Sequence, residues 1–320
     1  MRGLEMEISA VVPVFNEAES LEELHRRLGD ALGSISGDYE IIFVDDGSTD
    51  GSFDVLKAIQ ARDARVRVVS FRRNFGKSAA LAVGFSETTG RLVATLDSDL
   101  QDDPNQIPLL LEKLNEGYDV VSGWKKDRKD PISKTLPSRV FNLLVSRMTG
   151  VRIHDVNCGL KVYRGEAARS VDLYGELHRF IPVLAHWSGY RVSERVVVHH
   201  PRKHGRSKFG GGRFINGFLD LLTVMFLSAH ESNPLHLFGR LGLFFLVVGF
   251  LMNLVFLGQW AQGQPLRVRP LMLFAVVLVI LGIQFISMGL LGEMVARTGK
   301  RKEYALKARL GFTGEREEHG

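Results

Sequence analysis

The stretch LVATLDSDLQDDP, Leu92 to Pro104, sets four aspartates directly behind a short apolar run. The run has the length and β-rich character of a buried strand. Four like charges at its exit repel one another, and a strand that is only leaving a core needs one or two polar residues to do so. The pattern therefore calls for something positive at that point. Asp97 and Asp99 stand at i and i+2 where the chain turns away, so both carboxylates can reach one divalent cation while Ser98 faces elsewhere. Gln101 can add an amide oxygen. Magnesium prefers such oxygen ligands and is commonly held by one or two carboxylates. Asp102 or Asp103, followed by Pro104, reads as an ordinary helix start, and capping is the role expected for both.

Working outward, the same strand-and-exit pattern repeats. Apolar runs occur at Ile8–Val14, Tyr39–Asp46, Val66–Phe71, Arg91–Asp97 and Tyr118–Gly123, separated by helix-like segments at Ala18–Leu32, Ser52–Ala61, Lys77–Glu87 and Pro104–Asn115. This alternation predicts an α/β domain with a mostly parallel sheet and helices on its faces. Ligands of such sheets gather beyond the carboxyl ends of the strands. The exits here are Phe15-Asn16-Glu17, Asp45-Asp46-Gly47-Ser48, Arg72 to Lys77, and Asp97-Ser98-Asp99. Acidic and amide groups thus collect at one rim with a basic cluster nearby.

Composition changes towards the C-terminus. In a chain of 320 residues with 45% hydrophobic content, Leu241–Gly258 and Pro270–Gly292 are almost free of polar side chains, Asn253 and Gln284 being the chief exceptions. As helices they extend about 27 and about 34 Å, close to the hydrocarbon thickness of a bilayer. Neither keeps the polar stripe of a core helix of a soluble domain. Basic residues crowd the tail after Glu293, whereas the connecting loop offers only Arg267 and Arg269, which predicts cytoplasmic termini and an outer loop. The N-terminus lacks the features of a secretory signal. The net charge of +5 need not imply nucleic acid, because basic residues beside spans meet anionic lipid. A single cysteine, Cys158, excludes an internal disulfide.

These readings divide the chain into a cytoplasmic α/β domain over 1–213, a juxtamembrane helical region over 214–234, two transmembrane helices within 235–293 (about 235–258 and 270–292), and a basic cytoplasmic tail over 294–320 whose last residues, about 312 to 320, read as disordered. Phe214–Leu227 reads as an apolar-faced helix along the membrane surface. The glycine- and lysine-rich PRKHGRSKFGGGR, Pro201–Arg213, reads as a loop.

The ordered set VVPVFNE, VDDGSTD, RNFGKSAAL and LDSDLQDDP resembles the donor-binding half of an inverting glycosyltransferase of family 2, with the GT-A fold. The later KDPISKTLPSRVFN, DVNCGLKVYR, ELHRFIP and HGRSKFG, followed by two spans, resemble its polyprenyl-phosphate branch, the dolichyl-phosphate mannose and undecaprenyl-phosphate glucose synthase type. The resemblance covers residues 6 to about 297. It implies that Pro13, Phe15 and Glu17 flank the nucleoside of a nucleotide-sugar donor and that Asp45 hydrogen-bonds its base or ribose. Asp97, Asp99 and Gln101 would hold Mg2+ or Mn2+ against the donor diphosphate, with Arg206 and Lys208 closing on the phosphates. Asp155 lies where the family has an acidic residue near the acceptor. A phosphomonoester has a second pKa of about 6, so a polyprenyl phosphate needs little help losing a proton. Asp155 is therefore expected to orient a basic neighbour or the sugar, while Arg128 and Arg139 position the acceptor phosphate.

The expected reaction is transfer of a sugar, glucose from UDP-glucose by the resemblance, to undecaprenyl phosphate at the cytoplasmic face of the inner membrane. The alternatives are a GDP-mannose-dependent mannosyltransferase and a non-catalytic nucleotide-sugar-binding scaffold. A processive polysaccharide synthase needs a larger membrane bundle and a Gln-x-x-Arg-Trp element, which the sequence lacks. His199, His200 and His204 read as ordinary strand-end histidines rather than a zinc site. Asn253 and Gln284 lie at different depths, too far apart for a direct pair within one hairpin, so each either faces another subunit in a homo-oligomer or is tolerated in lipid.

Overall fold

The computed structural model describes residues 7–126, 142, 145–147, 149–151, 153–173, 175–198, 200, 234–263, 270–298 and 306–311. The strands are β1 (Ile8–Val14), β2 (Tyr39–Asp45), β3 (Val66–Phe71), β4 (Leu92–Thr95), β5 (Val120–Trp124), β6 (Lys161–Arg164), β7 (Val192–Val196) and β8 (Leu306–Leu310). The helices are α1 (Leu21–Ile35), α2 (Ser52–Arg62), α3 (Lys77–Glu87), α4 (Ile107–Asn115), α5 (Gly165–Ser170), α6 (Ile181–Trp187), α7 (Pro234–Ala261) and α8 (Pro270–Thr298). The chain divides into two units, one comprising 1–224 with 303–320 and the other 225–302.

The first unit is built on an eight-stranded sheet in the order β7-β5-β6-β4-β1-β2-β3-β8. Central strands β1 and β2 are buried almost throughout, which is why they read as continuous apolar runs and not as alternating ones. Helix α1 supplies Leu21, Leu24, Leu28, Ala31 and Leu32 to the core, the i, i+3, i+4 spacing of a single buried face. Strands β1 to β4 run parallel, whereas β6 is antiparallel to both β4 and β5.

That one reversal positions the site. After β3 the chain crosses β1 to form β4 on its other side, so the strand order switches direction between β1 and β4, where a crevice opens at the carboxyl ends of the strands. Because β6 runs the opposite way, its first residue, Lys161, pairs with the last residue of β4, Thr95. The segment 155–160 is thereby delivered to the rim that β1 and β4 leave.

The sequence reading of the tail is altered at one place. LKARL over 306–310 joins the sheet as β8, antiparallel to β3, with Arg309 bonded to Glu87 at 2.8 Å and Lys307 lying 4.8 Å over the Phe53 ring. Leu310 packs on the cluster of one sheet face and Leu306 on that of the other, the pairing with β3 shifting register between Ser70 and Phe71. The strand covers a sheet edge that otherwise presents unpaired backbone groups.

In the second unit α7 and α8 pack against each other through glycines. A Cβ on Gly242 would meet the Gly282 carbonyl at 2.7 Å, one on Gly249 the Ala275 carbonyl at 2.8 Å, and one on Gly282 the Leu246 nitrogen at 2.7 Å. Small residues at such crossings let helices touch backbone to backbone, the packing expected of membrane helices. Phe238–Ala261 and Pro270–Gly292 are long and apolar enough to cross a bilayer. Unlike core helices, they leave most of their large apolar side chains exposed. Asn253 donates to the Gly249 carbonyl of its own helix at 2.8 Å, so its amide is satisfied locally. The register that sets Gly249 against Ala275 puts Asn253 and Gln284 at different levels, as their depths in the sequence imply.

Ending the chain at residue 304 removes β8. Backbone amides of β3 that face it are then expected to exchange hydrogen faster, and the sheet domain to melt a few degrees lower. Unchanged exchange in β3 would show that the strand contributes nothing to the sheet.

Candidate active site

Three strand exits and the entry of β6 meet at one rim. At the first, Asn16 takes a left-handed backbone (φ 53°), and its side-chain oxygen accepts the Thr49 amide at 2.8 Å while Ser48 Oγ accepts its own amide at 2.9 Å. These bonds tie the β1 and β2 exits together. Pro13 and Phe15 are half-buried beside them. Glu17 precedes α1 by several residues and lies in a turn that its carbonyl closes onto Ser20, so it is not one of the acids in the helix's first turn, Glu22 and Glu23.

Asp45 is buried, accepting the Ser48 amide at 3.0 Å on one oxygen and the Ser70 hydroxyl at 2.7 Å on the other. Neighbouring Asp46 accepts the Phe75 and Gly76 amides, and burial nevertheless pushes its carboxyl above the ordinary range. The two aspartates therefore brace the loop that carries Arg72 to Lys77, while each carboxylate retains further lone pairs.

The LDSDLQDDP turn is held in an unusual backbone. Leu100 has φ 60° although it is a large, buried side chain, a conformation that costs of order 1–2 kcal/mol and persists where surroundings over-determine it. Burial of Leu100 in the main core supplies that constraint. Ser20 Oγ donates to the Ser98 carbonyl at 2.7 Å and pins the turn to α1. Asp99 is nearly buried and accepts the Gln101 amide at 3.2 Å.

Each remaining acid finds its own counterpart. Asp97 is ion-paired with Lys77, at the head of α3. Asp103 caps the short 3-10 turn Pro104–Gln106, accepting the Asn105 amide at 3.0 Å. Asp102 does not cap: it is buried and forms an ion pair of 2.8 Å with Lys125, just beyond β5. Burial opposes charge on Lys125, but Asp102 holds its ammonium above the ordinary lysine range. Capping geometry admits one of two adjacent residues, and the other points into the interior.

Gly159, between Cys158 and β6, packs against this acidic turn. A Cβ there would lie 2.6 Å from Asp102 Oδ2 and 2.8 Å from Asp97 Oδ2, so the backbone of 158–160 fits directly under both carboxylates. Burial pushes the Cys158 thiol up to about 12, leaving it protonated and unreactive at neutral pH. Asp155 is buried nearby and accepts the Asn157 amide at 3.3 Å. Across the rim, the His200 amide donates to the Gln101 carbonyl at 2.9 Å, which anchors the chain next to the acidic turn six residues before Arg206. His200 also lies 3.7 Å from Asp103. Among the described residues no group of three histidine, cysteine or acidic side chains is placed to hold a metal ion; His199 and His204 lie outside those residues.

The fit to a divalent cation rests on Asp97 and Asp99. Their oxygens, with Gln101, form a hard donor set, and Lys77 already brings a positive group onto Asp97. Two carboxylates leave most of a magnesium coordination sphere to ligand oxygens and water. Of the expected site residues, Pro13, Phe15, Glu17, Asp45, Asp97, Asp99, Gln101 and Asp155 are therefore gathered at the rim. Arg128, Arg139, Arg206 and Lys208 lie outside the described residues, as does the 214–227 segment. Lys77, Lys125 and Lys161 were not singled out from the sequence; the signal available was a lysine directly at a strand or helix end facing an acidic exit.

A methyl at position 159 has no room without displacing two carboxylates. Gly159→Ala is expected to weaken Mn2+ binding, followed by electron paramagnetic resonance, by tenfold or more, with a stability loss of about 1–3 kcal/mol. Wild-type Mn2+ affinity in this variant would show that Asp97 does not hold the cation.

The sequence model of Glycosyl transferase family 2 matches residues 9–171. The dodecaprenyl-phosphate galacturonate synthase of Rhizobium johnstonii is 41% identical over 305 residues, covering 93% of this chain and 90% of that protein. The undecaprenyl-phosphate 4-deoxy-4-formamido-L-arabinose transferase of Edwardsiella ictaluri is 40% identical over 295 residues, covering 91% and 89%. Among solved structures, glucosyl-3-phosphoglycerate synthase from Mycobacterium tuberculosis in complex with Mn2+ and UDP-glucose superposes with a TM-score of 0.53 at 22% identity, over 69% of this chain and 79% of that one, a likeness of fold. The acidic turn, the switch-point crevice and these matches agree, and the chain belongs to glycosyltransferase family 2.

Proposed function

We propose that this glycosyltransferase moves a sugar from a uridine diphosphate donor to a polyprenyl phosphate at the cytoplasmic face of the inner membrane, with inversion at the anomeric carbon. The observation that carries the reading is the Asp97–Asp99 turn at the β1/β4 switch point, in a chain that also carries two bilayer-length helices, Pro234–Ala261 and Pro270–Thr298. A lipid phosphate sits at headgroup level, so an enzyme acting on it gains from an anchor in the same membrane. The relatives named above act on polyprenyl phosphates, which favours that acceptor over a soluble one. Their sugars, galacturonate and 4-deoxy-4-formamido-L-arabinose, widen the choice beyond the glucose expected from the resemblance.

On this reading Pro13, Phe15 and Glu17 flank the nucleoside, with Asp45 reaching its base or ribose. Asp97, Asp99 and Gln101 would hold Mg2+ or Mn2+. The ion, when bound, neutralises charge on the leaving diphosphate. Arg206 and Lys208 follow the His200 anchor and add positive charge at the same diphosphate. Arg128 and Arg139 hold the acceptor phosphate. One of its oxygens attacks the anomeric carbon as the bond to the β-phosphate oxygen breaks, and the nucleoside diphosphate leaves with the electron pair. The attacking phosphate is already largely dianionic at neutral pH, so Asp155 orients the reactants and does not need to remove a proton.

The test is release of nucleoside diphosphate by the detergent-purified chain with Mg2+, undecaprenyl phosphate and a panel of UDP- and GDP-sugars. Lipid-dependent release from a UDP-sugar is expected, falling at least a hundredfold in Asp99→Ala and on chelation. Release from GDP-mannose alone would favour the mannosyltransferase alternative, and absence of donor binding the scaffold. Asp155→Asn is expected to keep kcat within about tenfold of wild type; a loss of several orders of magnitude at unchanged acceptor affinity would make Asp155 a general base.

A further inference from the structure

Strand β8 pairs with β3 through a break in register. Phe71 lies opposite Leu306 and Ser70 opposite Ala308, which makes Lys307 the extra residue of a bulge. Regular alternation would turn Leu306 and Leu310 to the same face of the sheet. The bulge separates them: Leu310 packs on the main core, whereas Leu306 packs on the cluster formed by Val69, Phe71, Ala79 and Ala80, which also receives Phe75. Those residues belong to β3, to the loop that follows it and to α3. Re-aiming one side chain beside a functional site is a recurrent use of bulges.

The loop from Arg72 to Gly76 is held from two directions. On the site side, Asp46 accepts the Phe75 amide at 2.7 Å and the Gly76 amide at 2.9 Å. A Cβ on Gly47 would lie 2.5 Å from the Arg73 carbonyl carbon, so the β2 exit meets the loop backbone to backbone. On the edge side, Arg72 Nε donates to the Leu306 carbonyl at 3.1 Å, and the Phe75 ring meets Phe71, the pairing partner of Leu306, edge-on at 5.5 Å. Arg309 bonds Glu87, the last residue of α3. The strand therefore holds the loop at its start and α3 at its end. Between these points stands Lys77, the first residue of α3, paired with Asp97. Ser70, at the bulge, donates its hydroxyl to Asp45. Backbone pairing alone suffices to cover a sheet edge. The bulge, the Arg72 bond and the Arg309 pair add contacts directed at the loop and at α3.

We propose that β8 is a positioning element of the donor site, with Leu306 as its principal side chain, and that it sets Lys77 where the ammonium can pass from Asp97 to the donor diphosphate. The proposal rests on the reaction class given above. It adds to the donor site a segment that lies beyond both apolar helices in the chain. An ammonium on a flexible stem binds a phosphate as a point charge, so its contribution depends on where its backbone is held.

The experiment is calorimetric titration of the full-length protein in detergent with UDP and Mn2+, at a temperature well below the melting point of every variant. Leu306→Asp is expected to raise the Kd for UDP about tenfold, the loss of one charge-assisted hydrogen bond, and Leu306→Ile to restore it. Lys77→Met is expected to cost the same, and the double variant no more than either single one, because both act on one contact. Arg309→Glu sets a like charge against Glu87 at the surface and is expected to weaken UDP several-fold, which keeps the test independent of whether Leu306→Asp folds. In turnover the KM for the donor is expected to rise in these variants while that for undecaprenyl phosphate stays constant, a split that general loosening of the domain would not produce. Unchanged UDP affinity in Leu306→Asp and Arg309→Glu would overturn the proposal, as would losses that add in full in the double variant, leaving β8 a cover for the sheet edge. Wild-type protein that binds no UDP would remove the donor reading, and the proposal with it.

Discussion

Four carboxylates within one turn can coexist in a folded chain only if each is given its own compensation, and the rest of the site follows from how that is done. Asp97 takes Lys77 from the head of α3, Asp102 takes Lys125 from beyond β5, Asp103 takes the backbone amide of Asn105, and Asp99 that of Gln101. Two of the partners are lysines brought in from other elements and two are backbone amides of the same segment. Asp102 and Lys125 are enclosed, and breaking such a pair from one side strands a buried charge. Asp97 and its lysine are each about one-third exposed, an arrangement that can be rearranged by an incoming ligand at far smaller cost. The turn thus combines a fixed structural half with an adaptable half, separated by a few residues of chain.

The reversed strand β6 is the second element of the design. A parallel strand in its place would begin at the opposite edge of the sheet, and Asp155, Gly159 and Lys161 would be remote from β4. Running antiparallel, it lays the backbone of Gly159 under two carboxylates and seals an ammonium into the wall beside them. The side-chain-free position is needed because the approach is backbone to carboxylate, closer than any Cβ permits.

Much of this was legible in the sequence. Continuous apolar runs marked the central strands, and the rule that ligands collect at their carboxyl ends located the rim from residue types alone. The direction of β6 was not legible, since a strand of four residues has no periodic feature that encodes orientation. Nor was the split between Asp102 and Asp103: both satisfy the composition of a helix start, and only three-dimensional packing selects the one that turns inward. The buried lysines were missed for a general reason, that lysine is rarely enclosed and sequence reasoning assigns it to the surface. Strand β8 did carry a signal, the alternation of LKARL, but one short alternating run beyond two bilayer-length helices is easily read as a basic tail.

Cys158 is the chain's single thiol, and its enclosure has a practical consequence. Maleimides and spin labels react through the thiolate, which this residue scarcely forms while the domain is folded. The native chain is in effect cysteine-free for surface labelling. Reporter pairs can be placed on the sheet domain and on the apolar helices without first replacing a residue that packs beneath the acidic turn, and distances between them can be followed as ligands are added.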